Sequence, residues 1–171
     1  MSRSAATVWL LGLTQIIGFG AVYYCFAILA NDIALEFGWS QAQFFGCISI
    51  GLAAGGLATP FFGKAFDRWG AARLMAVGSG LLGLTLAATA LAPNGTTFAI
   101  AFVFANVVSS LVLYDAAFTS LVQLSPHDGS RRIAYLTLIA GFASSLFWPS
   151  TTTLNASFGW RETLLIYAAL N

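Results

Sequence analysis

Long apolar runs dominate the sequence, and most polar residues lie in the short segments between them. A bilayer core of about 30 Å needs about 20 mostly apolar residues per helix, and five runs reach that length. They cover residues 7–30, 42–62, 74–92, 96–122 and 133–157, and a sixth, incomplete run covers 160–171. The pattern predicts an all-α membrane protein, a polytopic helix bundle with five complete transmembrane helices and the start of a sixth.

Turn-forming residues separate the runs at 31–32, 38–40, 93–95, 125–129 and 158–159. Ser40 is predicted to cap the second helix, and Thr96 or Thr97 the fourth. The first run is nearly unbroken from Ala5 to Ala30, which is longer than the apolar region of a signal peptide. We therefore expect it to be retained as a membrane helix.

Composition supports lipid as part of the solvent. Only 8% of the residues are charged, 58% are hydrophobic, and the mean hydropathy is +0.83. A typical soluble domain has about 25% charged residues. A chain of 171 residues could not bury this much apolar surface in water.

Several function classes lack any supporting signal. Cys25 and Cys47 both lie inside apolar runs without a CxxC pattern or a nearby histidine, so we expect them to pack in the core. The only histidine, His127, lies in a predicted polar loop. We find no nucleophile–base set, phosphate loop or metal cluster, and the net charge of +1 indicates no nucleic acid. We expect no enzyme activity, cofactor or metal site.

Basic residues predict the orientation. When the ends of the runs are assigned alternately to two sides, six basic residues fall on the side of the N-terminus and one on the other. The six are Arg3, Lys64, Arg68, Arg73, Arg131 and Arg132, and the one is Arg161. By the positive-inside rule, the N-terminus is expected to be cytoplasmic, in a plasma (inner) membrane.

The stretch from Gly63 to Arg73 carries a specific motif. Gly63, Asp67, Arg68 and Gly70 match motif A of the major facilitator superfamily at the right spacing, between the second and third helices. Alanines replace the basic pair that follows in the family, and Arg73 stands one position later. The chain thus resembles the N-terminal half of a major facilitator transporter.

Other segments agree with this resemblance. Residues 131–134 resemble the entry to the family's fifth helix, and 158–161 its short outer loop before the sixth. Residues 113–118 with 147–149 resemble bacterial monocarboxylate-type or general efflux-permease branches. Family members have two six-helix halves, so the resemblance implies that residues 1–171 are the N-terminal transmembrane bundle of a truncated chain whose C-terminal half is missing.

The resemblance implies a cytoplasmic gate formed by the motif residues Gly63, Asp67, Arg68, Gly70 and Arg73. In the family this motif is a latch between the halves, and Asp67 and Arg68 would hold the outward-facing state. The alternative is a basic loop that only sets topology.

Asp115 is the only acid predicted well inside a run, with Tyr114 and Asn106 as polar neighbours in the helix that lines the family's central path. A carboxylate there is costly unless it is paired, protonated or facing water. Asp115 could carry a coupling proton, or it could pair with Arg73, Arg131 or Arg132.

Two further positions are candidates for the pathway. Gln15 is the polar group on one face of the first helix and could contact solute or bond to a neighbouring helix. Trp148 precedes Pro149, which predicts a kink in the fifth helix, used for gating or as static curvature. The family's antiporter motif has glycine where Trp148 stands.

These observations predict a secondary active transporter of a small organic solute, working by alternating access in the lipid bilayer with the missing half. Proton-coupled transport of a carboxylate is the leading expectation. The alternatives are a drug or metabolite efflux permease and a non-transporting half-bundle or accessory membrane protein.

Overall fold

The computed structural model describes residues 3–124 and 128–171, with side chains from residue 6 onward. The side chain of Arg3 and the loop residue His127 therefore lie outside the described residues. Within these ranges every regular element is helical. The membrane helices are TM1 (Ala6–Phe37), TM2 (Gln41–Trp69), TM3 (Ala71–Ala90), TM4 (Gly95–Leu124), TM5 (Gly129–Phe158) and the start of TM6 (Trp160–Leu170).

In the described part of the chain, five of these helices are long and apolar enough to cross a membrane. Large apolar side chains such as Leu57 and Phe61 are more than 70% exposed on the outside of the bundle. Lipid solvates such side chains, whereas the backbone polar groups must be satisfied within helices. The predicted polytopic helix bundle is confirmed, with five long apolar helices.

Glycines and short polar side chains set the helix ends. Gly38, Gly70 and Gly159 have positive φ angles of 64°, 86° and 86°, which end TM1, TM2 and TM5. Ser40 caps TM2 in a capping box with Gln43, as predicted. The predicted cap of TM4 is wrong, because Asn94 accepts the hydrogen bond from the Thr97 amide at 2.9 Å.

Two helices are longer than the apolar runs that predicted them. TM1 continues through the predicted turn at 31–32 to Phe37, and TM2 continues through most of the motif to Trp69. A long helix extends past the apolar core wherever its polar residues can reach the interface. The motif is therefore not a loop, and Gly70 alone separates TM2 from TM3.

Three membrane helices change their hydrogen-bond pattern near their middles. TM1 contains a π-helical segment at Gly20–Tyr24, TM4 is interrupted between Ser109 and Tyr114, and TM5 between Ala140 and Ala143. In TM4 the amides of residues 110, 111 and 112 bond three residues back instead of four. The apolar periodicity of the runs gave no sign of these interruptions.

TM5 is interrupted at a different place from Pro149, where the sequence predicts a kink. The helix Ala143–Phe158 runs through Pro149, and the break lies two turns earlier, at Gly141 and Phe142. Phe147, one residue before Trp148, packs onto Gly20 of TM1, where a β-carbon would lie 2.2 Å from the Phe147 ring. The TM1–TM5 contact therefore needs glycine at this position.

The bundle has two ends and two buried clusters. The basic end carries Lys64, Asp67, Arg68, Arg73, Asp128, Arg131 and Arg132, and the acidic end carries Asp32, Glu36, Arg161 and Glu162. The smaller core cluster lies toward the basic end and comprises Val8, Phe66, Ala71, Met75, Ala116, Ala117, Leu121 and Leu136. The larger cluster fills the middle and the acidic end, where Phe98 contacts Phe26, Phe37 and Trp160.

Candidate functional site

A buried amide joins TM1 to the interrupted region of TM4. Gln15 is fully buried, and its Nε2 donates to the backbone oxygen of Val112 at 2.9 Å. Gly18 packs closely against Leu113, and a β-carbon at Gly18 would be 2.8 Å from Leu113 Cδ2. Gln15 therefore forms the bond to a neighbouring helix that was one of the two alternatives from the sequence. Its Oε1 has no hydrogen-bond partner among the described residues.

Asn106 lies where TM4 crosses TM2. Its side chain is buried, and Nδ2 donates to the Phe102 carbonyl one turn earlier at 2.9 Å. A β-carbon on Gly51 would come within 2.9 Å of Asn106 Nδ2, and one on Gly55 within 2.9 Å of the Asn106 carbonyl oxygen. Small residues thus let TM2 and TM4 approach closely. Asn106 contributes to this crossing, and its role in a solute path stays a prediction.

Tyr114 belongs to a row of partly buried aromatic rings. Its ring centroid lies 4.4 Å from that of Phe19 in TM1 and 5.0 Å from that of Phe118, onto which it stacks. Tyr23 continues the row, with its centroid 5.7 Å from that of Phe19. The row gives TM1 and TM4 a shared apolar face with phenol groups.

Asp115 follows Tyr114 in the first turn of the helix Tyr114–Leu124, and its side chain is exposed. A carboxylate in a first turn interacts favourably with the positive end of the helix dipole. Among the described residues it forms no ion pair with Arg73, Arg131 or Arg132. Thr119 donates to the backbone oxygen of Asp115 and leaves the carboxylate free. The role of Asp115 stays a prediction.

The motif residues lie at the junction of TM2 and TM3. Asp67 and Arg68 lie in the last turn of TM2 and are exposed, as is Arg73 in the first turn of TM3. The Arg68 guanidinium lies 5.4 Å from the ring centroid of Trp69, its neighbour in the chain. Gly63 is also helical, and a β-carbon there would meet open space, whereas Gly70 requires its positive φ.

Trp148 lies on the outside of TM5 and is 53% exposed. Gln15 and Asn106, by contrast, are both buried, in the TM1–TM4 and TM2–TM4 contacts. Within residues 3–124 and 128–171, no cluster of histidine, cysteine and acidic side chains could hold a metal ion. Cys25 and Cys47 are both buried as free thiols, in agreement with the predicted core packing.

Comparison with known proteins decides the family. The family model of the Major Facilitator Superfamily matches residues 10–171, which is nearly the whole chain. The chain belongs to the Major Facilitator Superfamily. No curated protein and no solved structure matches it. As a member of the superfamily it is a multi-pass membrane transport protein, and the small solute and lipid bilayer expected as its partners fit this assignment.

Sequence reasoning missed Gln123 of TM4, whose side chain contacts the backbone of the Gly63–Arg73 motif. Gln123 Nε2 donates to the Phe66 carbonyl at 3.2 Å, and its Oε1 accepts from the Ala71 amide at 3.0 Å. These two backbone groups flank Gly70. A signal existed in the sequence, because Gln123 follows Ala116 and Ser120 at helical spacing on one face of TM4.

A charged network at the acidic end was also missed, since its acids were given no role. Arg161 at the start of TM6 pairs with Glu36 of TM1 at 2.5 Å and donates to the Ala90 carbonyl at the end of TM3. Trp160 Nε1 donates to the second Glu36 oxygen at 2.6 Å. Arg161 also lies over the Trp160 ring at 4.4 Å. One arginine thereby joins three membrane helices.

TM5 is tied into the same end by polar contacts. Asn155 Nδ2 donates to the Asp32 carboxylate of TM1 at 2.5 Å, and Thr151 and Tyr167 share a buried hydrogen bond of 2.8 Å between TM5 and TM6. Hydrogen bonds between membrane helices are worth about 1 kcal/mol each. The acidic end therefore holds TM1, TM3, TM5 and TM6 together.

Proposed function

We propose that this chain is the N-terminal half of a proton-coupled secondary transporter that moves a small organic solute by alternating access. Superfamily membership supports transport. The observation that supports a coupled mechanism is the exposed Asp115 carboxylate inside TM4. Asp115 directly follows Tyr114, whose ring packs against those of Phe19 and Phe118. TM1 to TM6 would work against a second six-helix half, as the family resemblance implies.

The position of Asp115 is the physical basis of this proposal. It lies nine residues before Leu124, the last residue of TM4, which corresponds to about 13 Å along a helix. An unpaired carboxylate at that depth costs several kcal/mol in lipid. The Asp115 carboxylate must therefore contact water, pair with another group or be protonated. We propose that the Phe19–Tyr114–Phe118 face lines the aqueous path and that Asp115 carries the coupling proton.

The solute class remains part of the proposal. A small carboxylate is the class that the family branch implies, and its basic binding group would come from the second half. The second candidate is efflux of a drug-like or metabolic compound. Two observations favour it: the aromatic row, which suits an apolar ring, and the absence of an arginine paired with Asp115 in the described helices.

The orientation proposed here places the basic end in the cytoplasm and the bundle in a plasma (inner) membrane. Five described cations, Lys64, Arg68, Arg73, Arg131 and Arg132, lie at that end, against Arg161 at the other. A cysteine introduced at Ala72 should react with a membrane-impermeant maleimide only after the cells are opened. Labelling of Ala72→Cys in intact cells would show the opposite orientation.

Uptake into proteoliposomes that contain the complete gene product tests the coupling role. With an imposed pH gradient and a panel of labelled carboxylates and organic amines, Asp115→Asn should lose at least about tenfold of the gradient-driven accumulation. Solute exchange without a gradient should continue. Asp128→Asn, at an exposed acid of the basic end, is the matched control and should keep both activities. Unchanged gradient-driven uptake by Asp115→Asn would contradict the coupling role.

A further inference from the structure

Gln123 occupies a position from which it can connect the solute path with the gating motif. It lies near the end of Tyr114–Leu124, a single unbroken helix that also carries Asp115 two turns earlier. This helix begins after the interruption of TM4 between Ser109 and Tyr114, where the backbone bonds change their spacing. The helix therefore has a point of bending at one end and Gln123 near the other.

The Gln123 amide satisfies backbone groups that have few other options. Ala71 is the first residue of TM3, and a helix leaves its first amides without acceptors inside the helix. The Phe66 carbonyl already accepts from the Gly70 amide at 3.0 Å, and Gln123 adds a second donor. One side chain thus supports both sides of the Gly70 turn.

Apolar packing reinforces the same contact. Phe66 and Ala71 are both buried, and they belong to the core cluster toward the basic end together with Ala117 and Leu121 of TM4. Asp67 and Arg68 directly follow Phe66 in the chain. A displacement of the TM4 helix must therefore move the backbone that carries the exposed motif charges.

We propose that Gln123 is a positioning residue that fastens the basic end of TM4 to the Gly63–Arg73 motif, so that Tyr114–Leu124 and the motif move as one body. The gating consequence rests on the proposed alternating-access function. Protonation or solute binding near Asp115 would then shift Asp67 and Arg68 through this connection.

The experiment needs no solute, so its outcome is separate from that of the uptake assay. The full chain is placed in lipid nanodiscs, and hydrogen exchange of the Ala71 amide is followed by NMR. The Q123L variant should increase the exchange rate of this amide about fivefold, because the amide loses its acceptor. The matched control is Q41L. It removes an exposed glutamine from the first turn of TM2, the helix whose Phe66 carbonyl Gln123 contacts.

Motion of the two elements is measured by electron paramagnetic resonance. Spin labels are attached at F61C of TM2 and L124C of TM4, both exposed, after the two native cysteines are replaced by alanine. We expect a narrow distance distribution in the parent and in Q41L, and a clearly broader one in Q123L. Q123N, which keeps the amide but is one methylene too short to reach both partners, should broaden it as well.

Each outcome decides the proposal. Faster Ala71 exchange with a broader distance distribution in Q123L or Q123N, and neither in Q41L, supports it. An unchanged distribution in the glutamine-123 variants overturns it, as does equal broadening in Q41L. If Q123L does not insert, the same criteria apply to Q123N. Loss of coupling in Asp115→Asn with no effect of Q123L and Q123N would retain the proposed function and reject this connection.

Discussion

At the acidic end, Arg161 reaches from TM6 to Glu36 of TM1 and to the last turn of TM3. At the basic end, Asp67 and Arg68 project from TM2 without an ion pair to any other described helix. At the acidic end, Asp32, Glu36 and Arg161 have partners within the bundle. The basic end keeps motif charges exposed, where they are available to another surface.

This difference separates two uses of charge in one membrane protein. The paired charges at the acidic end stabilise the packing of the bundle. The exposed motif charges contribute little to its stability, since isolated surface charges are worth about 1 kcal/mol or less. Their position at the TM2–TM3 turn fits the latch between halves that the superfamily resemblance implies. The following predictions test the comparison, from the largest expected effect to the smallest.

The closest backbone contact toward the acidic end involves Gly83 of TM3. A β-carbon there would lie 2.6 Å from the Ala168 carbonyl oxygen of TM6, so Gly83→Ala should force the helices apart and cost about 3 kcal/mol of unfolding free energy. Gly80→Ala, one turn toward the basic end, meets open space and is the control. Denaturant unfolding in detergent micelles measures both. Equal stabilities of the two variants would show that this contact is not tight.

Arg161→Ala should destabilise the bundle by about 2 kcal/mol, because it removes the donor to one Glu36 oxygen and to the Ala90 carbonyl. Arg131→Ala at the basic end removes a hydrogen bond to exposed Tyr135 and should cost about 0.5 kcal/mol or less. Thermal unfolding of both variants in the same detergent gives the comparison. A larger loss for Arg131→Ala would contradict the conclusion that the stabilising charges lie at the acidic end.

Asp67→Asn should leave the stability of the bundle unchanged, because the carboxylate has no partner in the described residues. In the complete transporter it should lower the maximal uptake rate by about tenfold while membrane insertion stays normal, as expected for a gating group. Uptake kinetics and quantification of the inserted protein provide the two readouts. If Asp67→Asn keeps wild-type uptake kinetics, the motif acts only as a topology signal.

Much of this fold is predictable because lipid imposes simple constraints. Apolar runs fix the number of membrane helices, and the glycine at position 70 marks the turn after TM2. The run-based boundaries missed the helical extensions to Phe37 and Trp69, since charged residues continue a helix once it reaches the interface. Hydropathy reports which solvent a residue prefers and carries no signal for where a helix ends beyond the membrane.

The candidate site is less predictable, because its contacts depend on how the helices meet. The sequence singled out Gln15 and Asn106 as polar residues, but only the packing shows that both are buried against TM4 and TM2 backbone groups. Asp115 stands out in the sequence because it is an acid in an apolar run. Gln123 and Arg161 contact partners 52 or more residues away. Helical spacing places Gln123 on one face of TM4, but no local pattern identifies the partners of either residue.

The most direct test of the account is a pair of double-mutant cycles on the unfolding free energy. One cycle combines Glu36→Gln with Arg161→Gln, and the other combines Asp67→Asn with Arg73→Gln. The account predicts a coupling free energy of about 1 kcal/mol at the acidic end and about zero at the basic end. Zero coupling between Glu36 and Arg161, or an equal coupling between Asp67 and Arg73, would contradict the difference between paired charges at the acidic end and unpaired motif charges at the basic end.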